Sequence, residues 1–431
     1  MHTDTSVRTV RARIGSAVSS ERSESLAGTT IGVVGAGMMG AAIAYTCARA
    51  GADVVLWART LENALRGKSY ADRREAHARN AGTSNRRMSQ ALLGRITPTE
   101  CVTDLSASAL VIEAVAENVA VKQQVLQMVE AVTEAPTVLA STTSTLPIAI
   151  LSSKLQRPQC FLGMHFFSPA DRMSLVETIV GSGTSQATVA ASLAFARMLG
   201  KVPIVVGDSR GFFTSRVMER YLDEALVAVG EGIDPGLVER AATAAGYPVP
   251  PLHLLDEITL TLNRAVQCEN RLAVEADGGT WRGSEADSVR DRMIDECGRG
   301  GRSDGQGFYE YDSDGKRLGL WPALREVFGP ARHIPLNDMR DRLLFVEVLE
   351  ALRCLGEGVV GSESDADTGS VLGIGFPAHT GGVLSFRRSY PGGEDGFTAR
   401  ARELAGRYGD RFLPPEQSSE PYDQPECPWP T

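Results

Sequence analysis

No apolar run in this 431-residue chain reaches the roughly 18 residues that cross a bilayer, so no membrane span is expected. Cysteine is sparse: Cys47, Cys101, Cys160, Cys268, Cys297, Cys354 and Cys427 are odd in number and include no C-x-x-C. That indicates neither a disulfide framework nor a zinc site, and no metal is expected. Basic charge is short, with 44 Lys and Arg against 53 Asp and Glu and a net charge of −9. This balance argues against nucleic acid as the main partner. Residues 1–28 lack the apolar core of a signal peptide. Arg8, Arg11 and Arg13 give them a faint transit-peptide character, which Asp4, Glu21 and Glu24 oppose, and a disordered tail is expected. The cytoplasm is then the expected location.

What is present is enough for more than one core: 43% of residues are hydrophobic and 23% charged, over a length that suits two or three domains. The chain is organised around Thr30–Thr60, TIGVVGAGMMGAAIAYTCARAGADVVLWART. Ile31–Val34 is a short apolar run suited to a strand buried on both faces. Gly35, Gly37 and Gly40 follow in G-x-G-x-x-G spacing, then a small-residue helix closed by Gly51, then the strand Val54–Trp57. In this order the motif is specific for a dinucleotide. Gly35 permits a tight turn, Gly37 lets the backbone approach a pyrophosphate, and Gly40 lets the helix pack on the sheet. The helix N-terminus offers N–H groups and a positive dipole end to the phosphates.

Further apolar strands are expected at Leu110–Val115, Thr137–Ser141, Phe161–Phe166 and Val202–Val206, alternating with helical stretches. That alternation predicts an open, mostly parallel α/β sheet of Rossmann type. Leu61–Arg95 reads as helices with a local basic excess, including Arg66, Lys68, Arg73, Arg74, Arg79, Arg86, Arg87 and Arg95. Such a run suits either a phosphorylated ligand or a solvated face. After Gly211 only helices are expected. Arg216–Gly232 and Arg342–Gly358 match at an offset of 126 positions, and each is followed by a Gly-aromatic-Pro turn, Gly246-Tyr247-Pro248 and Gly375-Phe376-Pro377. This is an internal duplication. The expected division is a tail at 1–28, a dinucleotide-binding domain at 29–208, two duplicated all-α domains at 209–320 and 321–412, and a Pro-rich tail at 413–431.

Three polar residues fall where an α/β sheet puts its ligand, near the carboxyl ends of strands. Ser144 closes STTS, His165 lies in GMHFFSP, and Glu177 ends MSLVE. Together with GAGMMG, VIEAVAENVAVK, STTSTL and DSRGFF, these segments resemble the 3-hydroxyacyl-CoA dehydrogenases of fatty-acid β-oxidation. The helical repeat with GFYEY and GIGFP is similar to the dehydrogenase half of the bacterial multifunctional β-oxidation subunit. The resemblance runs in order over roughly 29–413, and no enoyl-CoA hydratase domain is expected before the fingerprint. It implies that His165 is the general acid/base, that Glu177 orients its imidazole, and that Ser144 hydrogen-bonds the substrate oxygen. Ser215 falls at a substrate-side position. Met39, Val115, Glu117, Lys122, Ser144 and Ser168 fall at cofactor-side positions, beside Gly35, Gly37 and Gly40. The helices after the second strand carry the family's CoA contacts.

Several positions depart from the commoner family pattern. Thr142, Ser168 and Ser215 replace asparagines, and Arg210 replaces a proline; a branch of the multifunctional enzymes looks similar at Ser168 and Ser215. At the end of the second strand the family's ribose-binding acid is Ala58, followed by Arg59. Loss of the carboxylate removes repulsion of a 2′-phosphate and an arginine can pair with it, so NADP is expected ahead of NAD. The expected activity is reversible conversion of 3-hydroxyacyl-CoA to 3-oxoacyl-CoA. Two alternatives are a biosynthetic relative acting on a carrier-protein-bound acyl thioester, and a non-catalytic dinucleotide-binding scaffold. A monomer or weak homodimer is expected, because Arg342–Phe412 could fill a dimerisation surface within one chain. Association with a hydratase or thiolase is a further expectation.

Overall fold

In the computed structural model, described over residues 26–415 apart from 277, 279, 281, 282, 330 and 331, the apolar run of the opening segment is strand β1 (Thr30–Val34). The expected tails, 1–28 and 413–431, lie almost wholly outside the described residues. The rest falls into two compact units. One comprises 26–212 with 358–373, and the other 213–357 with 374–415.

In the first unit β1 leads into α1 (Met38–Arg49), β2 (Asp53–Trp57), α2 (Leu61–Asn80), α3 (Arg86–Gly94), β3 (Ile96–Thr99), β4 (Leu110–Glu113), α4 (Val119–Val132), β5 (Val138–Ser141), α5 (Ile148–Ser152), β6 (Phe161–Phe166), β7 (Leu175–Val180), α6 (Gln186–Met198) and β8 (Val202–Gly207). They form one eight-stranded sheet in the order β3-β2-β1-β4-β5-β6-β7-β8. Every neighbouring pair is parallel except β6 with β7. Strands β4, β5, β6 and β7 are buried along their whole length, as expected for strands covered on both faces. Helix α1 buries Gly40–Ala48 without a break; its small side chains bring it close to the sheet.

Two strands lie outside the sequence expectation. β3 reads ITPT, with burial only at its two ends, and an edge strand tolerates Pro98 because one side of it makes no ladder bonds. β7 is interrupted by Glu177, which hides its apolar character. The segment 358–373 belongs to this unit: its helix Glu363–Gly373 contacts β7 and β8, and Val360 bridges Val206.

The second unit is mainly helical. Helices Thr214–Gly230 and Leu336–Gly356, which carry the two matching sequence segments, pack directly on each other. Their ion pairs are reciprocal. Arg216 reaches Glu350 and Glu357, each at 2.6 Å; Arg342 reaches Glu224 at 2.5 Å and Glu231 at 2.9 Å. The turns also meet, with Tyr247 edge-on to Phe376 at 6.0 Å between centroids. The expectation of helices alone after Gly211 is corrected by a hairpin, β9 (Tyr309–Tyr311) with β10 (Arg317–Leu320), paired antiparallel. Asp312 closes it by accepting from the Asp314 and Lys316 N–H groups at 3.0 and 2.8 Å, with Gly315 at φ 72°. Strands of three and four residues are too short for alternation to announce them.

Candidate active site

The strand order reverses at β1, whose neighbours are β2 on one side and β4 on the other, and an open α/β sheet binds its ligand at such a switch point. The glycine loop lies here. Gly35 has φ 107°, and a Cβ on it would stand 2.5 Å from the Ala114 carbonyl oxygen. A Cβ on Gly40 would run into the Gly35 carbonyl oxygen, whereas one on Gly37 would meet nothing within 4 Å. The space above Gly37 is therefore open to a ligand. Gly37 is the N-cap of α1, no side chain caps that helix, and its first turn carries no acid. These features fit a pyrophosphate. Met39, in the first turn, is half-buried.

Across the crevice, β4 ends on Glu113, opposite Ser141 of β5. Both the Glu113 and Lys122 side chains are only 1% exposed, and the Lys122 Nζ lies 2.9 Å from Glu113 Oε1 and 3.2 Å from Glu117 Oε2. The Ser141 hydroxyl and the Val115 N–H also donate to Glu113, at 2.6 and 2.7 Å. Glu117 in turn accepts from the Thr143 hydroxyl at 2.5 Å and the Ser144 N–H at 3.2 Å. Burial pushes the Glu117 carboxyl up, but the Lys122 ammonium and these hydrogen bonds outweigh it and hold it below the usual range. One network thus joins Val115, Glu117, Lys122 and the Ser144 loop. The hydroxyl of Ser144, a half-buried residue, makes no hydrogen bond among the described residues. Asp208, from the DSRGFF segment, caps α5 just beyond that loop by accepting from Ile148 and Ala149 N–H, both at 2.7 Å.

His165 and Glu177 face each other across β6 and β7. His165 Nδ1 is 2.7 Å from Glu177 Oε2, and the Glu177 side chain is fully buried. Glu177 does not end a strand: it is the third of six residues in β7. The strand continues because β7 turns back antiparallel on β6, which sets a mid-strand residue opposite the histidine. A carboxylate on Nδ1 fixes the tautomer and leaves Nε2 as the nitrogen that can exchange a proton with a ligand. Phe167 lies against the imidazole at 4.4 Å, and Phe212 at 6.4 Å.

Ser168 is exposed just after β6, and Ser215 lies in the helical unit, in the first turn of helix Thr214–Gly230. Ala58 is buried and Arg59 exposed at the end of β2. In the basic run, Lys68 donates to the Ile96 carbonyl at 2.7 Å, Arg74 pairs with Asp171 at 2.5 Å, and Arg95 pairs with Asp53 at 3.2 Å. Arg86 and Arg87 are exposed, with no hydrogen bond or ion pair among the described residues. Sequence reasoning overlooked Glu113, Ser141 and Asp208. The signal for Glu113 was an ionisable residue closing the buried strand LVIE, because a buried charge requires a partner.

Residues 30–209 match the family model described as 3-hydroxyacyl-CoA dehydrogenase, NAD binding domain, and residues 211–311 match the model for its C-terminal domain. Among solved structures, a 3-hydroxybutyryl-CoA dehydrogenase from Escherichia coli K12 is similar over 90% of this chain and 97% of its own, with a TM-score of 0.76 and 25% identity. The (S)-3-hydroxybutyryl-CoA dehydrogenase PaaH1 from Ralstonia eutropha is 31% identical over 66% of this chain and 99% of its own, with a TM-score of 0.61. FadB2 from M. tuberculosis is 32% identical over 67% of this chain and 100% of its own, with a TM-score of 0.60.

Proposed function

Since the chain belongs to the 3-hydroxyacyl-CoA dehydrogenase family, we propose that it interconverts 3-hydroxyacyl-CoA and 3-oxoacyl-CoA as an oxidoreductase acting on a CH–OH group. The observation that carries this reading is the buried His165–Glu177 pair, 2.7 Å apart, in the same sheet as an open glycine cradle. A nicotinamide dinucleotide supplies the hydride chemistry when bound. His165 takes the proton of the 3-hydroxyl through Nε2 in oxidation and returns it in reduction. Glu177 accepts from Nδ1–H and stabilises the imidazolium that forms. The Ser144 hydroxyl donates to the substrate oxygen, and Ser215 is proposed as a further substrate contact.

Gly35, Gly37, Met39 and Gly40 hold the pyrophosphate. Val115, Glu117, Lys122 and Ser168 line the ribose and nicotinamide side. The exposed arginines of the basic run, Arg86 and Arg87 among them, are proposed to take phosphates of CoA; Lys68, Arg74 and Arg95 of the same run are engaged by the protein. Ala58 and Arg59 favour NADP(H) over NAD(H). The same preference, suited to reduction, favours a carrier-protein thioester as the second substrate class. The helical segments 209–320 and 321–412 are read as duplicated domains following the dinucleotide-binding domain at 29–208. Reciprocal pairing of Arg216 and Arg342 with equivalent glutamates of the other copy supports this reading. A monomer or weak homodimer in the cytoplasm, associating with a hydratase or thiolase, completes the proposal.

Steady-state kinetics on the purified chain test it. 3-Hydroxybutyryl-CoA should be oxidised, and His165→Ala should lose most of kcat. Oxidation by His165→Ala at the wild-type rate would refute the catalytic assignment. A kcat/KM that favours NAD⁺ tenfold would refute the cofactor preference.

A further inference from the structure

The acid missing at Ala58 has a counterpart one strand away. β2 and β3 run parallel with Trp57 opposite Thr99, and the Ala58 N–H donates to the Thr99 carbonyl at 3.1 Å. Glu100 therefore leaves β3 beside Ala58. Its main-chain carbonyl accepts from the Trp57 indole N–H at 3.0 Å. Its carboxylate accepts from the Leu61 N–H at 2.9 Å, at the start of α2, whose N-cap is Thr60. The side chain thus reaches from the edge strand across to the turn Ala58–Thr60. In that turn Arg59 is exposed and has no hydrogen bond or ion pair among the described residues.

We propose that Glu100 is a specificity-determining residue for the dinucleotide, standing just after β3 in place of the acid that is missing after β2. A carboxylate at this corner of a dinucleotide fold accepts from a ribose diol and opposes a 2′-phosphate. Here it also takes an N–H at a helix start that would otherwise serve a phosphate. Arg59 acts in the opposite sense, as a phosphate partner. The choice between the two dinucleotides is then set by Arg59 against Glu100. Two other acids lie nearby. Asp104 is turned to the Thr99 hydroxyl at 2.5 Å, and Glu62 is exposed in the first turn of α2. The inference rests on the fingerprint as a nicotinamide-dinucleotide site and is independent of which dinucleotide the wild type prefers.

The test is the ratio of kcat/KM for NADP⁺ to that for NAD⁺, measured with 3-hydroxybutyryl-CoA on the full chain. Loss of stability or of active enzyme does not move this ratio. Glu100→Gln, which keeps an acceptor for Leu61, should raise it by about tenfold or more, and Arg59→Gln should lower it by about as much. Glu62→Gln should leave it within about threefold, as a screened surface charge does. An unchanged ratio in Glu100→Gln, or an equal rise in Glu62→Gln, would overturn the proposal. If the ratio rises as expected while the wild type prefers NAD⁺, the NADP preference fails and Glu100 stands. Calorimetric binding of ADP-ribose and its 2′-phosphate gives the same comparison without turnover. If dehydrogenase activity is absent, an unchanged preference between these two ligands in Glu100→Gln refutes the proposal and a raised preference for the phosphate supports it.

Discussion

Replacing Lys122 by Met would remove the counter-charge of a carboxylate that has no access to water. Glu113 and Lys122 are each 1% exposed and 2.9 Å apart. Breaking a buried ion pair on one side typically costs about 3–5 kcal/mol, because the remaining charge stays buried and unpaired. Glu113 would keep the Ser141 hydroxyl at 2.6 Å and the Val115 N–H at 2.7 Å, which places the expected loss near about 3 kcal/mol. In a unit of about 200 residues, that loss lowers Tm by about 6–12 °C. The double variant Glu113→Gln, Lys122→Met removes both charges of this pair but leaves Glu117 without its ammonium partner at 3.2 Å, so it should recover part of the loss and lie within about 2 kcal/mol of wild type. Thermal unfolding of the full chain, with hydrogen exchange at the β4 and β5 amides assigning the change to the sheet, measures both. A single variant less than about 1 kcal/mol destabilised, or a double variant as damaged as the single, would show that the pair is not isolated from water as described.

Three further predictions follow from the same geometry. Glu177→Gln takes a charge-assisted hydrogen bond worth about 1.5–3 kcal/mol from the imidazole and should lower kcat by about 10–150-fold with Tm little changed; a drop under threefold would argue against the pair. Gly37→Ala should fold normally but weaken dinucleotide binding, because its Cβ enters open space, whereas Gly40→Ala should lower Tm because its Cβ meets the Gly35 carbonyl oxygen. Equal Tm values for these two variants would refute the distinction. The two units should also titrate in opposite senses. Burial pushes Glu239 up to about 7 and Asp256 up to about 6, against hydrogen bonds that lower both. Through these two carboxyls the folded helical unit binds more protons than the unfolded chain, and the stability they contribute falls as pH rises toward 7; His253, lowered by burial, acts in the opposite sense but is one group against two. Glu117 is held below its ordinary value, so its contribution to the sheet unit is present above about pH 4.5 and is lost as pH falls through the lower folded value. Hydrogen exchange corrected for intrinsic rates should show helix Pro235–Ala245 better protected at pH 5.5 than at 8; the reverse order would refute this.

Much of the sheet was legible because its strands are short apolar runs punctuated by glycine, and the fingerprint sits between two of them. The strands that escaped were those in which a proline or a charged residue breaks the apolar run: Pro98 in β3 and Glu177 in β7. The match between 216–232 and 342–358 was legible from an offset alone, yet nothing in that offset says that Arg216 pairs with Glu350 and Glu357. That pairing depends on two helices being packed face to face, which is a property of tertiary structure.

The site illustrates the same division between what local pattern encodes and what register encodes. His165 and Glu177 are 12 positions apart, a spacing with no meaning for a helix or for a parallel pair, which needs a longer crossover. The two residues meet because β7, within the eight-stranded sheet, turns back on its predecessor, which makes them cross-strand partners. A shift of one residue in that pairing would turn the Glu177 carboxylate to the opposite face of the sheet. The surrounding residues of β6 and β7 are all buried, so such a shift would set every one of their side chains against the wrong neighbours in a close-packed interior. The core packing that carries no chemistry is therefore what holds the acid on Nδ1. The motif reading supplied the two residue types, and the hydrophobic register supplies their alignment.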